Sequence, residues 1–440
     1  MRLVAWVLLV ASALAAKALA NAPPALADAP PAVQVFDTHE GNFTSIINPC
    51  MVVLTGRLLI FTEARLGKGG DSDPSRIGMK HSDDGGRTWS PMRVLLPSGI
   101  EPASTVGNLA AVVVPHRAGA TSQRICLVFC VNNTLVFTTV SDDAGAHWSP
   151  PTDLTRSVKE AGEGWVATGP ANAIVLRSGR ILVPMNSNIA SGSISIDYTL
   201  VPGSEGRNRQ CPMASLQVGV RGASPSPLPP LHRGLGNVDP SAQPGVPLPA
   251  LDPCSKLTLA SLFKLQQRAY VLISDDSGKS WSRSTALPLL ASETAVAELG
   301  DGRILARSRI AEAGWQDGCQ HFALSQDGGS SWERVNTSQC VQDPGVQTSL
   351  LASPAADGAV LMTSPLIEKR CGDHLRGNLT LYRSDDGGTS WKAAAQVHAD
   401  CSGYSSMAPL DARHIGVVWS TQGLPRGGPV MFRTIAAVGG

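Results

Sequence analysis

The 440-residue chain has no excess of charge of either sign: 36 Lys and Arg stand against 35 Asp and Glu, a net of +1. No basic run disturbs that balance, which argues against nucleic acid as a partner. Nine cysteines are too few for a disulfide-framework protein, so an apolar core must carry most of the stability. After residue 20 no apolar run reaches the ~20 residues that a bilayer span needs, and no membrane span is expected once a leader is removed. No repeated metal-ligand spacing of His, Cys, Asp or Glu occurs, so neither a metal nor another cofactor is expected.

Near the start, Arg2 is followed by an apolar stretch from residue 3 to residue 15 and then by Ala18-Leu19-Ala20, a small-x-small cleavage pattern. Residues 1–20 therefore read as a signal peptide, and residues 21–440 as a protein that is secreted or held in the secretory or lysosomal pathway. Disulfides are permissible there, and Cys211 with Cys254, Cys319 with Cys340, and Cys371 with Cys401 are the expected pairs because each closes a loop. Cys126 and Cys130, on an apolar strand-like run, read as buried thiols. Asn42, Asn132, Asn336 and Asn378 open N-glycosylation sequons.

What the chain does have is repetition. Five segments share S-x-D-x-G-x-x-W: SDDGGRTW from Ser82, SDDAGAHW from Ser141, SDDSGKSW from Ser274, SQDGGSSW from Ser325 and SDDGGTSW from Ser384. Asp and Ser side chains bond nearby backbone in tight turns, and Gly supplies positive φ. These Asp boxes are thus structural elements. Between them runs a second repeat, apolar run, turn, apolar run, at Met51, Ala111, Ala173, Ala295, Ser349 and Met407, which reads as six hairpins. Together they predict an all-β fold, a six-bladed β-propeller with five Asp-box turns.

Neighbouring boxes lie 51 to 59 residues apart, except that Ser141 and Ser274 are separated by 133. The surplus is a Pro-, Gly- and Ser-rich insertion at about 202–255, with SPSPLPPLHRG at its centre, which reads as an extended loop. Residues 33–36 and 429–435 read as strands that pair to close the ring.

In a propeller the innermost strands start at one face around the axis. Ile47, Asn48, Asn108, Thr168, Gly169, Glu293, Gln347 and Tyr404 should converge there. The second-to-third-strand connections add Asp71, Asp73, Arg309 and Arg376. Two arginines among acids, amides and a phenol suit an anionic, polyhydroxylated ligand, because a guanidinium grips a carboxylate through two parallel hydrogen bonds.

At these residues the chain resembles the sialidase family of glycoside hydrolases. VGNLAAVVV from Val106, GWVATGPANAIVLRSGRILVPMN from Gly164 and RGNLTLYRSDDGG from Arg376 are similar to that family's segments. The resemblance implies that Asp71 is the acid/base and Tyr404 the nucleophile. It makes Glu293 the base that deprotonates Tyr404, with Arg309 and Arg376 as two of three arginines on the substrate carboxylate. Asn108, Gln347 and Asp73 complete the expected substrate-binding set. A phenol replaces the usual carboxylate nucleophile in sialidases; a carboxylate would be repelled by the carboxylate on the anomeric carbon.

The implied activity is release of terminal sialic acid, or a related ulosonic acid, from a glycoprotein, glycolipid or oligosaccharide. One departure stands out. The family's first arginine position holds Ile47, and the glutamate that partners it is Ser420. The paired loss leaves a second reading open, a glycan-binding propeller with weak or no turnover. Peptide-binding Asp-box propellers are a third.

Overall fold

The computed structural model describes residues 29–114, 123–170, 173–189, 194–201, 213–220, 267–288, 291–310, 319–338, 340–371, 374–421 and 427–437. Six antiparallel sheets in a ring form a six-bladed β-propeller. Blade 1 comprises Ser45–Leu54, Arg57–Arg65, Ser75–Ser82 and Arg93–Leu95, and blade 2 comprises Val106–Val114, Arg124–Val131, Leu135–Ser141 and Thr152–Asp153. Blade 3 holds Glu163–Thr168, Ile181–Ile189, Gln267–Ser274 and Ser282–Arg283; blade 4 holds Ala291–Glu298, Ile304–Ile310, His321–Ser325 and Glu333–Val335. Blade 5 is built from Ser349–Ala352, Val360–Cys371, His374–Ser384 and Lys392–Cys401, and blade 6 from Ser405–Pro409, His414–Ser420 and Val430–Ala436.

The fourth strand of blade 6 is Val33–Phe36, paired as Val33 with Phe432 and Phe36 with Val430. The two expected terminal strands do close the ring, and the outer edge left on this sheet is only four residues long.

Strands sandwiched between neighbouring blades have both faces covered, so they read as continuous apolar runs. In Arg124–Val131 every residue after the first is buried. The outer Arg93–Leu95 is mostly exposed. Core layers lie between blades: Leu59, Phe61 and Met79 belong to the cluster that includes Leu127 and Phe129, and Leu361 and Leu381 to the one that includes Trp419 and Ile435.

All five boxes make the same turn. In the first, Ser82 Oγ donates to Asp84 Oδ1 and accepts from Gly86 N, while the Asp84 carboxylate accepts from the amides of Arg87 and Thr88 and from Thr88 Oγ1. Gly86 sits at φ +89°, and a Cβ there would lie 2.1 Å from the Phe432 ring. The box glycine thus serves both the turn and the seam with the preceding blade.

Disulfides join Cys319 to Cys340 and Cys371 to Cys401; Cys126 and Cys130 are buried thiols. Cys211 and Cys254 lie outside the described residues, as do residues 1–20. Within the 202–255 insertion the structure describes Met213–Val220, and here it differs from a plain loop: this segment is a strand paired with Ile194–Val201. The inner strand of blade 3 differs too. It is split, with Thr168 opposite Met185 and Ile174 opposite Leu182, and Pro170 between the pieces has no N–H for the ladder. No helix among the described residues is long and apolar enough to cross a membrane.

Candidate active site

Each inner strand runs from one face of the ring to the other, and the boxes close the third-to-fourth-strand turns on the far face. The near face is therefore lined by the starts of the inner strands and by the second-to-third-strand connections. Bulges shape it. The ladder slips between Ile47 and Cys50 in blade 1, Gly107 and Ala110 in blade 2, and Ala291 and Thr294 in blade 4. Asn48 and Asn108 adopt φ of 54° and 53°, and Glu293 falls inside the third slip. A bulge leaves its residue unpaired and re-aims the side chain.

Glu293, Arg309 and Tyr404 form one bonded group. Tyr404 Oη donates to Glu293 Oε1 at 2.6 Å, and Arg309 Nη1 donates to Glu293 Oε2 at 2.9 Å and to Tyr404 Oη at 3.3 Å. Burial, and then the Glu293 charge, push the Tyr404 phenol above its usual range, although Arg309 and Arg376 pull the other way. Burial opposes the charge on Arg309, but Glu293 and Tyr404 outweigh it and raise its pKa.

Arg376 is buried, with Nε on the Pro344 carbonyl at 3.3 Å and Nη2 on that of Gly345. Desolvation lowers its pKa, and the charges nearest to it include Tyr404, Arg309 and Glu293. The topology thus brings four of the expected residues into one electrostatic unit from blades 4, 5 and 6.

Asp71 belongs to a second group on the same face, from blades 1 and 2. Its side chain is 89% exposed and pairs with Arg65 Nη1 at 2.6 Å. Arg65 Nε in turn bonds Glu63 Oε1 at 2.6 Å, and Glu63, 2% exposed, also accepts from Asn48 Nδ2 and the Asn108 amide. Gly107 makes this possible: a Cβ there would lie 2.4 Å from Glu63 Oε2. Asn108 Nδ2 donates to Asn133 Oδ1, and Asn133 Nδ2 to the Asp71 carbonyl.

Glu63 and Arg65 were not expected from the sequence. Their signal was present, since Glu63 and Arg65 take alternate positions at the end of a strand whose middle is apolar, RLLIFTEAR, and buried charges require partners.

Two members of the expected set are occupied differently from a ligand contact. Gln347 is buried; its Nε2 donates to the Ser405 carbonyl and its Oε1 accepts from the Ser405 amide, so it fixes the strand that follows Tyr404. Asp73 Oδ2 accepts from the amides of Lys68 and Gly70, stitching the loop that carries Asp71. Their amide and carboxylate satisfy backbone that would otherwise be unpaired. Thr168 is likewise buried, its Oγ1 on the Asn108 carbonyl. Ile47 is half-buried opposite Glu63, and Ser420 is buried with its amide on the Tyr404 carbonyl. Among the described residues no cluster of three or more His, Cys, Asp or Glu is placed to hold a metal.

A BNR repeat-like domain matches residues 249–415. A sialidase of Bacteroides fragilis is 22% identical over 370 residues, which are 78% of this chain and 54% of that protein. The chain thus spans about half of that relative's length. Among solved structures, the Hadza microbial sialidase Hz136 is similar with a TM-score of 0.63 at 17% identity, covering 92% of this chain and 68% of the other. A Trypanosoma rangeli sialidase in complex with 2,3-difluorosialic acid as a covalent intermediate has a TM-score of 0.56 at 17% identity, covering 93% and 57%. The repeat match, the sialidase relatives and the ring of six blades agree, and together they support a sialidase-family β-propeller.

Proposed function

We propose that the chain is a retaining exo-α-sialidase, acting on terminal sialic acid or a related ulosonic acid of glycoproteins, glycolipids or oligosaccharides. The observation that carries this reading is the 2.6 Å hydrogen bond from Tyr404 to Glu293, bridged by Arg309. A phenol with a raised pKa is a poor nucleophile until a base takes its proton, and Glu293 is already on that proton.

In the proposed reaction Arg309 and Arg376 hold the substrate carboxylate. Tyr404 Oη attacks the anomeric carbon while its proton passes to Glu293. Asp71 donates a proton to the departing glycosidic oxygen as that C–O bond breaks. Water then attacks the same carbon, Asp71 takes its proton, the bond to Tyr404 breaks, and Glu293 returns the phenol proton. Exposure of Asp71 on its loop suits a group that must meet a leaving group entering from solvent.

Ile47 and Ser420 favour a second reading, a propeller that binds its glycan without turnover, because one arm of the carboxylate clamp is absent. Such an arm is worth about 1.5–3 kcal/mol. Release of fluorophore from an aryl α-sialoside separates the two readings. The enzyme should turn over, and Tyr404→Phe should reduce the rate by at least about 10²-fold; full activity in that variant removes Tyr404 from the nucleophile's role. We also place the protein in the secretory pathway or outside the cell, which the two disulfides among the described residues support.

A further inference from the structure

We propose that Asp343, fastened by Arg307, is a positioning residue that sets Arg376 for its anionic ligand. The inference rests on the sialidase reading of Arg376 and extends it to residues beneath the site.

Arg307 and Arg309 lie two apart on the strand Ile304–Ile310, so their side chains leave the same face of that strand. Arg309 reaches the mouth. Arg307 is fully buried and spends its donors on protein: Nε on Gln320 Oε1 at 3.1 Å, Nη1 on the Val346 carbonyl at 2.8 Å, and Nη2 on Asp343 Oδ1 at 2.9 Å. Gln320 Nε2 adds a bond to the Gln342 carbonyl. The segment from Gln342 to Val346 is thereby held at both ends and in the middle.

That segment is the cradle of Arg376. Asp343 Oδ1 also accepts from the Gly345 amide at 2.8 Å, which turns the chain so that the carbonyls of Pro344 and Gly345 both meet the Arg376 guanidinium. Gly345 takes φ +63° at this turn, a conformation that suits glycine. With Nε and Nη2 on fixed carbonyls, the planar guanidinium has one orientation, and its free edge is what a ligand meets.

Asp343 has a second part in the same unit. Its charge acts on Arg307, Arg309 and Arg376 alike, favouring the charged form of each. Three guanidiniums packed together repel one another, and Asp343 shares with Glu293 the task of offsetting that charge, Asp343 from beneath and Glu293 beside Tyr404. A buried cation without such a counter-charge is costly.

The test compares Asp343→Ala, Asp343→Asn and Arg376→Lys in the full chain, by kinetics on an aryl α-sialoside and by crystallography. Asp343→Ala should raise KM by roughly 10- to 100-fold, the worth of one charge-assisted bond, with a much smaller change in kcat. Asp343→Asn keeps an acceptor oxygen and should recover part of that loss. In an Arg376→Lys background, Asp343→Ala should add little. A variant that melts lower with KM within twofold of wild type overturns the inference, as does an equal effect in both backgrounds. Loss of sialoside turnover in the wild type would sink the sialidase reading instead. The crystal structure of Asp343→Ala then decides the inference alone: Arg376 still seated on the Pro344 and Gly345 carbonyls would overturn it.

Discussion

Glu293→Gln isolates the base from everything else the site does. The substitution is nearly isosteric, and the amide oxygen can still accept from Tyr404 or Arg309, whose donors stand 2.6 and 2.9 Å from the carboxylate. Basicity is what it removes. A positioned base contributes about 10²- to 10⁴-fold in rate, equivalent to about 2.7–5.4 kcal/mol at 1.36 kcal/mol per decade. The change also dissolves the ion pair between Arg309 and Glu293, which are 28% and 13% exposed, and the loss of that charge-assisted bond costs about 1.5–3 kcal/mol. Activity should therefore fall by two to four decades, while the melting temperature falls by about 3–12 °C. Initial rates of fluorophore release at fixed pH, beside a thermal melt by circular dichroism, read both. A variant within fivefold of wild type would refute the role of Glu293 as base.

Gly107→Ala should drive a methyl group into the Glu63 carboxylate, 2.4 Å away, and cost about 1–3 kcal/mol; an unchanged urea midpoint would show that Glu63 is not fixed there. Ile47→Arg together with Ser420→Glu should lower KM for a sialoside more than Ile47→Arg alone, and equal effects would mean that the two positions are uncoupled. The phenol of Tyr404 should ionise above the usual tyrosine range. Its contribution to stability is then present below the unfolded value of about 10 and lost as pH rises towards the folded one. An alkaline absorbance titration in which Tyr404→Phe removes an early-ionising tyrosine, instead of a late one, would contradict this.

Architecture was the most legible part of the sequence, because a propeller writes its blades as repeated turns. Ser, Asp and Gly in each box make the bonds that their chemistry suggests, and Val33–Phe36 is recognisable as a strand that needs a partner. That Glu293, Tyr404, Arg309 and Arg376 would meet on one face was legible from their place relative to the hairpins. Less legible was anything decided by which neighbour a buried polar group meets. Gln347 and Asp73 lie at the right ends of the right elements, yet each is taken up by local backbone amides and carbonyls, a choice set by loop geometry. The Arg307–Asp343 pair and the bonds from Asn48 and Asn108 to Glu63 are hidden for the same reason. Their partners come from distant parts of the chain or from neighbouring strands, and spacing alone carries no trace of them. The strand at Met213–Val220 shows a further limit, since Pro-rich flanks mask a short β-run inside them.

The sheet completed by Val33–Phe36 and Val430–Ala436 is also the one that begins one residue after Tyr404. A nascent chain can stack its earlier blades as they emerge, but this last sheet must wait for residues near 430 and then recruit a partner synthesised some 400 residues before. The phenol is thus set beside Glu293 only when this last sheet closes. A polypeptide interrupted late in translation would carry nearly every side chain of the proposed reaction without the sheet that sets Tyr404 beside Glu293.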